Sequence, residues 1–213
     1  MGKEDKLVYF NERARGESIR MLYALAGKSL EEDRHDYFQW NKLKSTVKTP
    51  LGQLPTLTTQ DGTLCLSNTI SRYVAKRFGL VGEGLWNETL NDLIVETLQE
   101  FVNSLIEQVI IWKVLKLAPE PEDSEKVVEG QRTELLKRLV YIRSIKEKQG
   151  KHKFLLCDKM QLADVWLYTT LEFFKSTFVD AMEITPWIKE FATNFQADST
   201  MRQYLARRPY SPL

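Results

Sequence analysis

Strand and hairpin signals in this sequence are confined to its first eighty residues, and only helical signals follow the segment Val81–Gly84. Lys6–Phe10 has the β-branched and aromatic content of a short buried strand. Asp61-Gly62 separates two strand-like segments and is a typical hairpin turn. This order predicts two domains, an α/β domain over residues 1–80 and an all-α domain over residues 85–213.

The first eighty residues mix helices with strands. In chain order, the pattern predicts a strand at Lys6–Phe10, a helix over Glu17–Ala26, an edge strand near Leu30–Asp36, a hairpin of Leu54–Thr59 and Thr63–Leu66, and a helix that Ser67 caps and that ends at Gly79. A unit of this kind packs its helices on one sheet.

The remainder of the chain has apolar residues at helical spacing. Predicted helical segments lie near Leu90–Leu105, Leu135–Gly150, Leu162–Phe174, Pro186–Phe195 and Thr200–Arg207. Pro119 and Pro121 interrupt the pattern between the first two of these segments. We find no internal repeat and no low-complexity tract.

Composition narrows the function classes. The net charge of +1 leaves no basic excess for binding nucleic acid. The most apolar stretch, Phe101–Leu117, is interrupted by polar and charged residues, so no membrane helix is predicted. The first ten residues lack an apolar signal segment, and the two cysteines, Cys65 and Cys157, cannot form a disulfide framework. These features predict a cytoplasmic protein.

Familiar catalytic and metal-binding motifs are missing from the sequence. No zinc-ligand spacing and no glycine-rich phosphate loop occurs, and the two histidines, His35 and His152, fit surface positions better than catalytic ones. Polar side chains do collect where elements of the first domain end. They are Tyr9, Arg13, Arg15, Trp40, Lys44 and Ser67, with Leu54-Pro55 at a strand start. Each of these has a plain structural explanation when it is taken singly.

Taken in order, these residues resemble the cytosolic glutathione transferases, closest to the sigma class, and the resemblance covers essentially the whole chain. The segments that carry it are Lys6–Arg20, Trp40–Lys44, Gly52–Pro55, Leu66-Ser67, Ser71–Lys76, Leu162–Asp164 and Arg208-Pro209 with Leu213. The resemblance implies a thioredoxin-like α/β first domain, an all-α second domain and a cis Leu54–Pro55 bond.

The resemblance also implies the chemistry. Glutathione attacks as its thiolate, and a tyrosine hydroxyl that donates a hydrogen bond to the sulfur lowers the pKa of the thiol. Tyr9 matches that tyrosine, and Arg15 would support Tyr9 and add positive potential.

By the same resemblance, further residues bind glutathione as a co-substrate. Trp40 and Lys44 would contact its glycyl end, Gln53 and Leu54 its middle, Leu66 and Ser67 its γ-glutamyl end, and Glu100 of a second subunit its ammonium. A small hydrophobic electrophile would lie against Arg13, Trp166 and Leu213. The implied assembly is a homodimer.

The sequence departs from the family pattern at four places. Leu66 replaces a glutamine that usually binds the glutamyl end, and Gln99-Glu100 stands where sigma enzymes have aspartates, so we predict no metal requirement. Ala14 and Gly16 exchange the usual glycine and alanine around Arg15. Gln161 replaces the usual Ser or Thr cap, which puts the stability of the following helix in doubt.

Three functions stay open at this stage. The first is a glutathione transferase acting on hydrophobic electrophiles, with a narrower version in which it isomerises prostaglandin H to prostaglandin D. The second is a structural or glutathione-binding protein on the same fold, like the S-crystallins of the sigma class, and Leu66 favours it. The third, a redox relative of thioredoxin, is weakly supported because the first strand ends in Tyr9 rather than a cysteine.

Overall fold

The computed structural model describes residues 4–211, apart from the side chain of Asn41. This part of the chain divides into two compact units. The first contains residues 4–81 and 196–211, and the second contains residues 82–195. No helix within the described residues is long and apolar enough to cross a membrane.

The secondary structure follows the predicted order. The strands are β1 (Lys6–Phe10), β2 (Glu31–His35), β3 (Thr56–Thr59) and β4 (Gly62–Cys65). The helices are α1 (Ala14–Leu25), α2 (Trp40–Leu43), α3 (Ser67–Arg77), α4 (Gly84–Leu105), α5 (Ile111–Lys113), α6 (Ser124–Gln149), α7 (Leu162–Lys175), α8 (Pro186–Ala197) and α9 (Ser199–Arg207). A π-helical turn, Ile106–Ile110, connects α4 to α5, and a 3₁₀ turn, Ala181–Glu183, precedes α8.

One mixed sheet organises the first unit. Its strand order is β2-β1-β3-β4, with β1 parallel to β2 and antiparallel to β3, and with β3 antiparallel to β4. The parallel pair requires a crossover, which α1 provides. Together with α3 this gives a thioredoxin-like domain, and the strands of the described chain all precede α4. The predicted fold class, a thioredoxin-like domain followed by a helical one, is confirmed.

Two details of the first unit differ from the sequence-based expectation. Helix α1 begins at Ala14, earlier than the predicted Glu17. The N-cap of α3 is Leu66 rather than Ser67, so the predicted capping role of Ser67 is wrong. The reason is that β4 ends at Cys65 and one residue, Leu66 at φ 69°, turns the chain, which leaves Ser67 as the first helical residue.

A buried polar cluster joins α1 to α9 in the first unit. The Glu17 carboxylate accepts hydrogen bonds from the Tyr204 hydroxyl at 3.1 Å and from the Arg208 guanidinium at 2.8 Å. Arg20, one turn along α1, donates to Glu32 at 2.7 Å and to the Glu17 carboxylate at 3.5 Å. Because buried charges are costly unless they are paired, this cluster ties the C-terminal helix to α1.

Helices α4 and α7 form the centre of the second unit. Phe101 and Phe174 pack edge to face, with ring centroids 5.6 Å apart. At the start of α7, Asp164 accepts the N–H of Gln161 at 2.8 Å, while the side-chain oxygen of Asn91 on α4 accepts the N–H of Ala163 at 2.9 Å. Asn91 thus supplies a capping acceptor to α7. This is the helix whose stability was in doubt because Gln161 replaces the usual Ser or Thr cap.

Candidate functional site

Tyr9 lies next to the carboxyl end of β1 and is only 4% exposed. Its hydroxyl oxygen accepts the backbone N–H of Arg15 at 3.1 Å. Burial raises the pKa of Tyr9 to about 12, and the nearby Arg15 charge and N–H act in the opposite direction. The hydroxyl therefore keeps its proton at neutral pH, so it can donate that proton in a hydrogen bond to an anion.

Trp40 and Lys44 lie one helical turn apart at α2. The N–H of Lys44 donates to the carbonyl of Trp40 at 2.8 Å. The Trp40 ring packs edge to face against Phe10, with centroids 5.7 Å apart, and the Phe10 ring lies 5.1 Å from the ring of Tyr9. Lys44 is exposed, and its ammonium has no ion-pair partner among residues 4–211. These contacts place α2 beside the end of β1.

Gln53 and Leu54 lie in the loop that leads into β3. The Leu54–Pro55 peptide bond is cis, as the resemblance implies. Thr56, the first residue of β3, pairs with Val8 of β1 on one side and with Cys65 of β4 on the other. The loop therefore reaches the same edge of the sheet as Tyr9.

Leu66 and Ser67 form the turn from β4 into α3. Leu66 has φ 69° and ψ 116°, a region that favours glycine, and its side chain is 53% exposed. Ser67 is buried, and the side chain of the N-cap residue, Leu66, makes no capping hydrogen bond. The first backbone N–H groups of an uncapped helix attract carboxylates and phosphates.

The strand register thus gathers most of the predicted residues at one sheet edge. The end of β1, the start of β3 and the end of β4 lie side by side there. Helices α1, α2 and α3 follow strands that end at this edge. The residues that the register brings together are Tyr9, Arg15, Trp40, Lys44, Gln53, Leu54, Leu66 and Ser67.

Arg13 has a different environment from the one expected for a substrate-contacting residue. Its backbone N–H donates to the Ser211 hydroxyl at 3.2 Å, and its guanidinium donates to the Ser211 carbonyl. The Ser211 hydroxyl in turn donates to the Glu12 carboxylate at 2.6 Å. The C-terminal segment is thereby held on the turn between β1 and α1.

Two other predicted residues belong to the second unit, and a third is not described by the structure. Glu100, on α4 of the second unit, is exposed, and its carboxylate lies 4.0 Å from the Arg138 guanidinium. Trp166, on α7 of that unit, is 3% exposed, and its indole N–H has no hydrogen-bond partner among the described residues. Leu213 lies outside the described residues.

Sequence reasoning marked Gly16 only as a departure from the family pattern in the turn beside Tyr9, and it missed Ser211. Gly16 lies directly against the Tyr9 ring, and Ser211 binds the turn that follows β1. A glycine in the first turn of a helix is a recognisable signal for close packing. Ser211 carried no signal, because its partners are almost two hundred residues away in the chain.

The acidic and thiol groups of residues 4–211 do not assemble a metal site. No cluster of three or more His, Cys, Asp or Glu side chains in this part of the chain could hold an ion. Gln99, at one of the positions where sigma enzymes have aspartate, donates instead to the side chain of Asn103 at 2.6 Å.

Comparison with protein families gives two matches. The profile of the glutathione S-transferase N-terminal domain matches residues 5–76, and that of the glutathione S-transferase C-terminal domain matches residues 109–208. Among curated proteins, glutathione S-transferase 3 of Caenorhabditis elegans is 29% identical over 209 residues, which cover 96% of each chain.

Solved structures support the same fold. The glutathione S-transferase of Ascaris lumbricoides has a TM-score of 0.86 at 26% identity, over 99% of this chain and 100% of that one. Na-GST-3 of Necator americanus, described as monomeric, has a TM-score of 0.84 at 27% identity over 99% and 100%. Rat hPGDS, at 24% identity and a TM-score of 0.80 over 99% and 100%, shares the fold.

Proposed function

Because the chain has the N-terminal and C-terminal domains of a glutathione S-transferase, we propose that it is a glutathione transferase that acts on small hydrophobic electrophiles. In this proposal, Tyr9 donates a hydrogen bond to the glutathione sulfur and stabilises the thiolate that attacks. Glutathione brings the reactive thiol, so neither cysteine of the chain takes part in the reaction.

One observation carries the proposal: the Tyr9 hydroxyl already accepts the N–H of Arg15 at 3.1 Å. A hydroxyl that accepts one hydrogen bond still has its own proton to donate. The Arg15 N–H polarises the hydroxyl, and burial keeps it protonated, since the pKa of Tyr9 is about 12. A preorganised donor in a buried site stabilises an anion more than water does.

The rest of the sheet edge suits the two carboxylates and the ammonium of glutathione. The N-terminus of α3 at Ser67, where the N-cap Leu66 supplies no side-chain hydrogen bond, suits the γ-glutamyl carboxylate. Lys44, an exposed ammonium without an ion-pair partner in the described chain, suits the glycyl carboxylate, and Trp40 lies beside it. The backbone of Gln53 and Leu54, ahead of β3, suits the cysteinyl part of glutathione.

The test is conjugation of glutathione with a chlorinated aromatic electrophile by the wild type and by Tyr9→Phe. We expect measurable wild-type turnover and a loss of about ten-fold or more in kcat/KM for the variant, because one charge-assisted hydrogen bond disappears. Equal rates for the two proteins would exclude the proposed role of Tyr9. Absence of wild-type turnover would exclude the transferase assignment.

A second function has one specific observation in its favour. Leu66 presents an exposed apolar side chain where the family has a glutamine that binds the glutamyl end. A protein that retains the fold but binds glutathione poorly would be structural, like an S-crystallin. Binding to immobilised glutathione separates the two functions: retention on the resin with turnover supports the enzyme, and failure to bind supports the structural protein.

We also propose that the chain forms a homodimer. Glu100 projects an exposed carboxylate from α4, which suits a role at the glutathione ammonium of a partner subunit. Analytical ultracentrifugation of the wild type tests whether it is a dimer. Kinetics of Glu100→Gln test the role of the carboxylate: the KM for glutathione should rise several-fold while kcat stays nearly unchanged. A monomer with full activity would contradict this proposal.

Three finer properties are also proposed: the transferase class, the metal requirement and the cellular location. We propose a cytoplasmic enzyme of the sigma class with no metal requirement, supported by Tyr9 at the strand end and by Gln99 in place of an acid. Activity that falls on chelation and returns with magnesium would contradict the metal statement. Prostaglandin H isomerisation is tested by comparing the prostaglandin D formed by the wild type with that formed by Tyr9→Phe and by buffer alone.

A further inference from the structure

The turn between β1 and α1 fits closely around the Tyr9 ring. A Cβ atom added at Gly16 would lie 2.2 Å from Cδ1, 2.7 Å from Cε1 and 2.9 Å from Cγ of Tyr9. All three distances are far inside van der Waals contact, so the ring occupies the volume that a side chain at position 16 would need. The Gly16 backbone is not left-handed, so in this chain a side chain at position 16 would disturb the Tyr9 ring rather than the backbone conformation.

Ala14, two residues before Gly16, shows the opposite combination of side chain and backbone. Ala14 has φ 30°, in the region that favours glycine, although it carries a Cβ. The only glycine of this turn lies where the ring needs room, not where the backbone needs freedom. The chain therefore tolerates strain at Ala14 and keeps the space beside Tyr9 open at Gly16.

Tyr9 is held from two sides as a result. Its ring rests on the Gly16 backbone, and its hydroxyl accepts the N–H of Arg15, the residue between the two exchanged positions. The Arg20 guanidinium lies 5.6 Å from the ring centroid. Moving the ring outward would lengthen the 3.1 Å hydrogen bond to Arg15 and shift the point at which the hydroxyl donates.

We propose that Gly16 is a positioning residue for thiol activation: the space left by its missing side chain sets the depth of the Tyr9 ring and the direction of its hydroxyl. This inference rests on the proposed function, in which Tyr9 donates to the glutathione sulfur. Gly16 touches neither substrate and acts only through Tyr9. The residues proposed to bind the carboxylates of glutathione, Lys44 and Ser67, lie on other elements.

The first experiment compares Gly16→Ala with Ala14→Gly. The Gly16→Ala variant should lose about ten-fold in kcat/KM, and the acid limb of its pH profile should move up by about one pH unit, because the thiolate loses its aligned donor. Its Kd for glutathione should change by less than about three-fold. Ala14→Gly, which relieves the positive φ and leaves the ring untouched, should match the wild type. A folded Gly16→Ala with a wild-type rate and pH profile would overturn the proposal.

A double-mutant cycle tests whether Gly16 acts through the tyrosine. In the Tyr9→Phe background, Gly16→Ala should cost less than about two-fold, because the hydroxyl that it displaces is already gone. A further ten-fold loss in that background would show that Gly16 acts by another route and would contradict the proposal.

Two measurements separate this inference from the transferase assignment, since neither needs turnover. Tyr9 ionisation, read as the ultraviolet difference between wild type and Tyr9→Phe, should shift toward the ordinary tyrosine value of about 10 in Gly16→Ala as the ring leaves its buried position. If Gly16→Ala does not fold, NMR of tyrosine-labelled wild type should show separate signals for the two edges of the Tyr9 ring, because the Gly16 backbone hinders its rotation. An unshifted ionisation or a freely rotating ring would overturn the positioning role.

Discussion

At the scale of single residues, Leu66 departs most clearly from what a glutathione site requires. Its backbone adopts φ 69° and ψ 116°, and its side chain is more than half exposed beside the start of α3. An apolar side chain in this place can neither donate nor accept a hydrogen bond. At this turn, a hydrogen bond to the glutamyl carboxylate must therefore come from the backbone of Leu66 or from the first turn of α3.

Replacing Leu66 by glutamine should tighten glutathione binding. The new amide would add one hydrogen bond to a charged group, which is about 1–2 kcal/mol, or a drop in Kd of about five-fold or more. Isothermal titration calorimetry measures the effect, with Leu66→Met as an apolar control of similar size. An unchanged Kd for Leu66→Gln would show that the backbone already suffices.

At the scale of elements, helix α7 obtains part of its N-terminal cap from another helix. Asn91 of α4 is fully buried, and its side chain accepts the Ala163 N–H at 2.9 Å and donates to the Gln161 side chain at 2.8 Å. Gln161 also donates to the Cys157 sulfur at 3.1 Å. Gln161 and Asp164 form a local capping box at the same helix end. The contribution of Asn91 is a tertiary interaction, and the pattern of residues around 161 could not reveal it.

Replacing Asn91 by alanine should destabilise the protein by about 2–3 kcal/mol, because the buried Ala163 N–H and the Gln161 oxygen would lose their partner. Urea unfolding measures the difference. Asn87→Ala, one turn earlier on α4, removes an exposed hydrogen bond to the Glu83 carbonyl and should cost less than about 0.5 kcal/mol. Equal losses for the two variants would contradict the capping role of Asn91.

The sequence predicted elements better than it predicted their ends. The β-branched and aromatic content of Lys6–Phe10 predicted β1 with the bounds it has in the structure. The start of α1 and the cap of α3 were misplaced, since both depend on residues with positive φ, Ala14 and Leu66, that local propensity does not favour there. The π-helical turn Ile106–Ile110 left no trace in the apolar spacing.

The sequence could predict that most candidate residues lie close together, because they lie at the ends of strands. Tyr9 lies near the end of β1, Leu54 precedes β3 and Ser67 follows β4, and the register of the sheet brings these strand ends together. The close packing of Gly16 against the Tyr9 ring and the contacts of Ser211 could be seen only in the three-dimensional structure. Those interactions depend on the shape of packing and on distant parts of the chain.

At the scale of the whole molecule, a net charge of +1 conceals a concentration of cationic groups in one place. Arg15 and Lys44 lie at the sheet edge with Tyr9, and the uncapped end of α3 adds partial positive charge there. The C-terminal residues close the first unit, since Arg208 pairs with the buried Glu17 carboxylate at 2.8 Å.

Arg208→Met should therefore destabilise the protein by about 1–3 kcal/mol, because the Glu17 carboxylate stays buried with fewer donors. Arg207→Met is the matched control. Arg207 is exposed, and within residues 4–211 it donates only to a carbonyl on its own helix, so its replacement should be nearly neutral. Thermal and urea unfolding compare the two variants. Equal stability of both would contradict the role assigned to the C-terminal pair.

The most direct test of the central claim is the thiol pKa of bound glutathione, measured by ultraviolet thiolate absorbance for the wild type and for Tyr9→Phe. Free thiols of this kind have a pKa of about 8.5. We predict that the wild type lowers this pKa by about one unit or more and that Tyr9→Phe returns it close to the free value, because the hydroxyl stabilises only the charged form. A wild-type pKa equal to that of free glutathione, or one that Tyr9→Phe leaves unchanged, would contradict thiol activation by Tyr9.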